Sequence, residues 1–287
     1  MQRRLFTLWA SFLFLTNSQA RDTERKRVDN LFESIGTELF VSTVFHSKDD
    51  PQRITPACRT CAQYFAPWLE SLKLVNISAL ILHDGLPEFI VQTYSSSEVT
   101  FKRVQLGSAS VNDERFRLYY AFLTGQSLDT YPRMVIPPWE HVKIVSKPKK
   151  VFFTDIADVI VRRNPFYFVN NYPDHVFVGS ENRKWIMWMR REVRKCGLVK
   201  HKFQKSEMYN AGILGGRSTV VAKFLHDFVT LQSELSLTAY ESNCDMPIFN
   251  AVVYGWLKRQ VVFWGQPLHS RFLAFDCNRS DAYICHK

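Results

Sequence analysis

Short apolar runs alternate with helical periodicities along most of the chain. Residues 39–45 form an apolar run of strand length, and Cys61, Phe65, Trp68, Leu69 and Leu72 then recur at helical spacing. Residues 78–83 give a second buried strand, ended by Asp84-Gly85, and residues 98–104 a third. A helix is predicted to open at Asn112-Asp113-Glu114-Arg115, with a capping residue ahead of the apolar set Phe116, Tyr119, Tyr120 and Leu123. Further strands are predicted at 142–145, 150–155, 176–179 and 210–214. Helices are predicted over 218–235 and from about Asp245, the latter burying Phe249, Val252, Val253, Trp256 and Leu257. Strands apolar on both faces, alternating with amphipathic helices, predict an α/β fold with a mostly parallel central sheet and helices on both faces. The basic and aromatic stretch 183–205 interrupts this alternation and reads as a loop or lid.

Ligands on such sheets bind beyond the carboxyl ends of the strands. That rule directs attention to the polar residues that end the apolar runs: His46, Asp84, Asp155, Asp158, Glu181 and Asn210. The segment Val151-Phe152-Phe153-Thr154-Asp155-Ile156-Ala157-Asp158-Val159 is the most informative, because a buried strand here ends in two carboxylates three residues apart. Burying a carboxylate without compensation is costly, and a divalent cation supplies the missing charge. The plainer reading makes Asp155 a strand end and Asp158 a turn cap, both facing water.

Four blocks resemble the glycosyltransferases of the GT-A fold, particularly their nucleotide-diphospho-sugar transferase branches. They are Asn112-Asp113-Glu114-Arg115-Phe116, the acidic strand continuing to Arg163-Asn164-Pro165-Phe166, Met208-Tyr209-Asn210-Ala211-Gly212-Ile213-Leu214-Gly215-Gly216, and Asn243-Cys244-Asp245-Met246-Pro247-Ile248-Phe249-Asn250. Together they cover about residues 112–257. The resemblance implies a GT-A-like fold and metal-dependent transfer of a sugar from a nucleotide-diphosphate donor, a UDP-sugar foremost, to a glycan, protein or lipid hydroxyl. It implies a metal site of Asp155, Asp158 and His286 holding Mn²⁺ or Mg²⁺. Donor contacts would come from Thr43, His46, Arg115, Asp155, Asp158, Gly212 and Lys287, with Asn210 and Asp245 orienting the sugars. The family's usual motif is D-x-D, and this chain has one more residue between its aspartates. Each residue also has a bland reading: Asp245 as a helix N-cap before Pro247, Asn210 and Gly212 as a strand leading into a glycine turn, and His286-Lys287 as a frayed end.

The first twenty residues add a location. Arg3 and Arg4 precede the apolar stretch Leu5 to Leu15, and Ser18-Gln19-Ala20 has the small-x-small form of a cleavage signal. Residues 1–20 therefore read as a signal peptide, with a short signal anchor as the alternative, and 21–287 as a single catalytic domain. Placement in the lumen of the secretory pathway, or secretion, follows. The sequons at Asn76 and Asn278 and six cysteines fit it, with Cys277–Cys285 ranked first among the possible bridges. The formal net charge of +10 suits phosphate-bearing or anionic glycan ligands, while a secretory signal argues against nucleic acid. Two competing functions remain open from sequence. Cys58-Arg59-Thr60-Cys61 has the spacing of a thiol-disulfide oxidoreductase, and a catalytically inactive glycan-binding protein would keep the fold without the chemistry.

Overall fold

The computed structural model describes residues 37–48, 62–126, 136, 138–144, 148–181, 187–198, 207–235, 243–259, 261–271 and 281–286. The leader, Cys58, Cys61, Cys277, Asn278 and Lys287 lie outside the described residues. In chain order the strands are β1 (Glu38–Val44), β2 (Ser78–His83), β3 (Val99–Arg103), β4 (Lys150–Thr154), β5 (Val159–Val161), β6 (Val176–Ser180), β7 (Tyr209–Arg217), β8 (Val262–Trp264) and β9 (Ile284–His286). The α-helices are α1 (Ala66–Leu74), α2 (Glu88–Tyr94), α3 (Val111–Thr124), α4 (Phe166–Asn171), α5 (Met187–Lys195), α6 (Ser218–Glu234) and α7 (Asp245–Leu257).

Seven strands form one sheet in the order β3-β2-β1-β4-β7-β6-β8. β7 is antiparallel to both of its neighbours and the other pairings are parallel, so six strands point one way and only β7 is reversed. The expected α/β architecture, a mostly parallel sheet with helices on both faces, is what forms. The alternation of side chains along a strand explains why both faces are covered. Leu39, Val41, Leu80, Leu82, Val151 and Phe153 pack with Phe116 of α3, Phe224 and Phe228 of α6 and Phe249 of α7. Phe40, Val44, Ile81 and Phe152 pack on the opposite face with Trp68 of α1 and Phe166 of α4.

α3 starts one residue before its expected opening, and its cap is Ser110, whose side chain accepts from the Asp113 amide. Gly125, at φ 67°, ends it in the left-handed conformation that glycine adopts without steric cost. The strand expected at 142–145 does not form over residues 142–144. Both edges of nearby β4 are taken by β1 and β7, so this run has no edge to join there, and Val142 and Ile144 pack against the core instead. Within the stretch expected to be loop or lid, residues 187–195 are helical. That helix, α5, ends in a Schellman motif: Gly197 sits at φ 72°, its amide donates to the Arg194 carbonyl, and the Leu198 amide donates to the Val193 carbonyl. A Cys196–Cys244 disulfide ties this end to the start of α7. Cys285 is also disulfide-bonded, and its expected partner Cys277 is outside the described residues. Among the described residues no helix is long and apolar enough to cross a membrane.

Candidate active site

The carboxyl ends of β1, β4 and β6 and the amino end of β7 meet along one edge of the sheet. β4 delivers Asp155, whose amide donates to the Gly212 carbonyl of β7 at 2.9 Å. The chain then turns through Ile156, which is buried beneath the turn, and enters β5. β5 pairs antiparallel with β9, placing Val159 opposite His286. This small ribbon brings the end of the chain to the acidic turn. Ligand atoms of Asp155, Asp158 and His286 all lie within 4.8 Å of one another, with His286 Nε2 3.9 Å from Asp155 Oδ2 and 3.8 Å from Asp158 Oδ1.

The arrangement fits a divalent cation. Burial first, and the positive neighbour Arg115 among lesser causes, pull the His286 pKa down to about 4 against the opposing pull of Asp155. The imidazole is therefore neutral at physiological pH, the state that coordinates metal. Two carboxylate oxygens and one imidazole nitrogen form a mixed oxygen and nitrogen donor set of the kind that Mn²⁺ accepts. Gly212 leaves the room: a Cβ there would stand 2.5 Å from Asp155 Oδ2, 2.7 Å from His286 Cε1 and 2.8 Å from Asn210 Oδ1. His286 is itself held by its backbone, since its amide donates to Ser270 Oγ at 2.8 Å and its carbonyl accepts from the same hydroxyl at 3.2 Å.

Arg115 comes from the second turn of α3 and reaches two carboxylates. One guanidinium nitrogen pairs with Asp155 Oδ1 and the other lies 2.9 Å from Asp245 Oδ2. Burial opposes the charge on Arg115, but Asp155 and Asp245 outweigh it and hold the guanidinium protonated. Asp245 is the first residue of α7, not its cap; Cys244 occupies the cap position, and its own side chain makes no capping hydrogen bond. Burial raises the Asp245 pKa, and the charge of Arg115 opposes that rise.

On the other side of the cleft, Asn210 donates to Glu181 Oε1 at 2.6 Å and accepts from the Gly212 amide at 2.6 Å. A register shift between β6 and β7 lies at this point: Val178 faces Leu214, while Gly179 faces Asn210. Asn250 of α7 secures the start of the irregular segment, accepting from the Tyr209 amide and donating to the Tyr209 carbonyl, both at 2.9 Å. Thr43 hydrogen-bonds Tyr119. His46 is drawn into a clasp on Asp84, whose Oδ1 lies 2.8 Å from His46 Nδ1 and accepts from the His46 amide at 3.0 Å. Gly85, at φ 154°, could not carry a Cβ without pressing to 3.0 Å of the His46 ring.

The structure thus brings Asp155, Asp158, His286, Gly212, Asn210, Arg115 and Asp245 to one place, with Thr43 and His46 at the end of β1. Lys287 lies outside the described residues. Asn250 and Asp113 add to the site without having been singled out, and Glu181, named only as a polar residue ending an apolar run, proves to be the partner of Asn210. Asn250 closes the Asn243–Asn250 block that carries part of the resemblance.

Asp113 sits behind Asp245. Its Oδ2 accepts from Ser110 Oγ at 2.7 Å and from the Cys244 amide at 3.2 Å, so it holds the start of α7. Burial, and then the charge of Asp245, raise its pKa to about 7. A raised carboxyl pKa means that the folded state prefers the proton. Stability from this group is full below the unfolded value near 4 and is lost as pH rises to about 7, a range worth at most about 4 kcal/mol. Asp113→Asn keeps an acceptor for the Cys244 amide and removes the charge. Urea unfolding should show the variant gaining on the wild type between pH 4.5 and pH 8. A difference that is the same at both pH values would contradict this account.

No protein-family model matches the chain, and no curated protein matches it. Among solved structures it is similar to the galactosyltransferase LgtC in complex with donor and acceptor sugar analogues, at 14% identity over 86% of each chain with a TM-score of 0.46. It is also similar to an active-site mutant of LgtC, at 12% identity over 86% of each chain with a TM-score of 0.47.

Proposed function

We propose that this chain is a metal-dependent glycosyltransferase of GT-A type that takes its sugar from a nucleotide-diphosphate donor. The observation that carries this reading is the convergence of Asp155, Asp158 and neutral His286 around the space left by Gly212, at the carboxyl edge of the sheet. These three residues would hold Mn²⁺ or Mg²⁺, which when bound supplies positive charge against a diphosphate leaving group. Asp155 has a second partner in Arg115, so one of its oxygens is oriented by the guanidinium while the other faces Gly212. Arg115 in turn fixes the Asp245 carboxylate, which would orient the donor sugar together with Asn210. In this reading Arg115 positions the two carboxylates, and contact with the diphosphate falls chiefly to Lys287. Thr43 and His46 would line the side of the base, with UDP as the expected nucleotide and a glycan, protein or lipid hydroxyl as acceptor.

The buried Cys196–Cys244 bridge supports work in an oxidising compartment, in line with the leader pattern at the start of the chain. The reaction is tested by incubating the purified protein with a panel of nucleotide sugars and Mn²⁺ and following release of the nucleoside diphosphate. One donor should be turned over well above the others, with loss of turnover on chelation. Failure of every donor, with and without a mixture of glycan acceptors, would remove the enzymatic part of the proposal.

A further inference from the structure

The positive charge of this chain is concentrated in one place. Residues 183–205 hold nine lysines and arginines against one glutamate, so this stretch accounts for eight of the ten net charges. Its described part is α5, with Arg190, Arg191, Arg194 and Lys195 all exposed. The spacing is unfavourable for the helix itself. Arg190 and Arg194, and again Arg191 and Lys195, are like charges at i and i+4, a pairing that weakens an isolated helix. Glu192 compensates Arg191 at 3.2 Å and Lys195 at 3.3 Å. The opposite side of the helix is sunk into the core through Met189 and Val193, with Cys196 and Leu198 just beyond its end.

This cationic face has a fixed relation to the site. Cys196, the residue after α5, is bonded to Cys244, and the next residue, Asp245, enters the cleft against Arg115. At its other end α5 begins six residues after Glu181, the partner of Asn210, which limits the gap to about 20 Å of extended chain. A row of cations on a helix tethered at one end to the start of α7 suits a ligand with repeated negative charge whose end must reach the reacting atoms.

Resting on the transferase reading above, we infer that α5 docks the acceptor, and that the acceptor is a polyanionic glycan chain bearing sulfate or carboxylate groups. Met189 and Val193 of α5 point inward, while the cations at 190, 191, 194 and 195 face solvent. Guanidinium groups pair with sulfate and carboxylate through two parallel hydrogen bonds, and three of the four exposed cations are arginines.

The test is binding of the full-length protein to immobilised heparin, used as the sulfated-glycan probe, without nucleotide and over a range of NaCl concentrations. It compares wild type, Arg190→Ala/Arg191→Ala/Arg194→Ala/Lys195→Ala, and the charge-matched Lys73→Ala/Arg103→Ala/Arg217→Ala/Lys258→Ala, whose residues are also exposed. Loss of four cations at one docking face should weaken binding about tenfold to a hundredfold. The charge-matched variant should stay within about twofold of wild type, and melting curves should show both variants folded. No heparin binding by wild type, or equal loss in both variants, would overturn the inference. So would binding to vesicles containing phosphatidylserine, or to an oligonucleotide, in preference to heparin. Because no donor is present, any of these failures leaves metal-dependent nucleotide binding, and hence the transferase reading, to stand or fall separately.

Discussion

Arg115→Met will destabilise the protein by about 3–5 kcal/mol, the range seen when one partner of a buried ion pair is removed. The methionine fills a comparable volume and leaves Asp155 and Asp245 without their shared cation. Asp245 suffers most, since its side chain is only 3% exposed and burial already raises its pKa. Without Arg115 that pKa rises further, so the variant's folded state binds a proton that its unfolded state has released. The deficit should therefore be small below about pH 4 and grow as pH rises through the raised folded value. Chemical denaturation at pH 5 and pH 8 measures it. Arg115→Lys should recover part of the stability but less of the geometry, because an ammonium cannot bridge two carboxylates with a planar fork. A methionine variant as stable as wild type at pH 8 would show that Arg115 is dispensable to the fold.

The second large effect is expected at Gly212. Adding one methyl group in Gly212→Ala puts a carbon within 2.5–2.8 Å of side-chain atoms of Asp155, His286 and Asn210. These are side-chain ends and can move, so the fold should survive with a modest change in melting temperature. What cannot survive unchanged is their mutual arrangement. Mn²⁺ affinity should drop about tenfold to a hundredfold, the usual cost of disturbing the groups that orient metal ligands. Gly215, three residues later on the same strand, gives the contrasting case. A Cβ there would run into the ring of Phe152, so Gly215→Ala should damage core packing rather than the site. If Gly212→Ala binds Mn²⁺ like wild type, the space beside Gly212 is not part of the metal site.

The main strands and the long helices were readable because their apolar residues follow the periods of strand and helix. Ser78–His83 appears as it was expected, and Ser218–Glu234 and Asp245–Leu257 lie within a residue or so of their expected spans. The elements that were not readable are those whose reason lies elsewhere in the chain. β5 and β9 are three residues each and pair with one another across more than a hundred residues of sequence, with Ile284 of β9 also bridging to His269. β8 is equally short and is held at the edge of the sheet by β6. α5 hides its few apolar contacts among exposed cations, so its composition resembled that of a loop.

The candidate site divides the same way. Asp155, Asp158 and Asn210 could be named because polar residues at the ends of apolar runs need a reason to be there, and Asp245 because its helix start resembles that of the GT-A transferases. The extra residue between the two aspartates is accommodated by the turn over Ile156, which brings Asp158 back beside His286. That His286 is buried rather than frayed depends on β5 and on Ser270, neither of which carries a sequence signal. The pairing of Arg115 with two carboxylates likewise needed the packing of α3 against β4 and the start of α7 to be seen.

The most direct measurement is titration calorimetry of UDP into the purified protein with Mn²⁺, with chelator, and in Asp155→Ala. The account predicts binding that requires the metal and disappears in the variant, while Asp155→Ala still unfolds cooperatively. UDP binding of equal strength with chelator, or no binding of any nucleoside diphosphate by the folded wild type, would contradict a metal-dependent donor site at Asp155, Asp158 and His286.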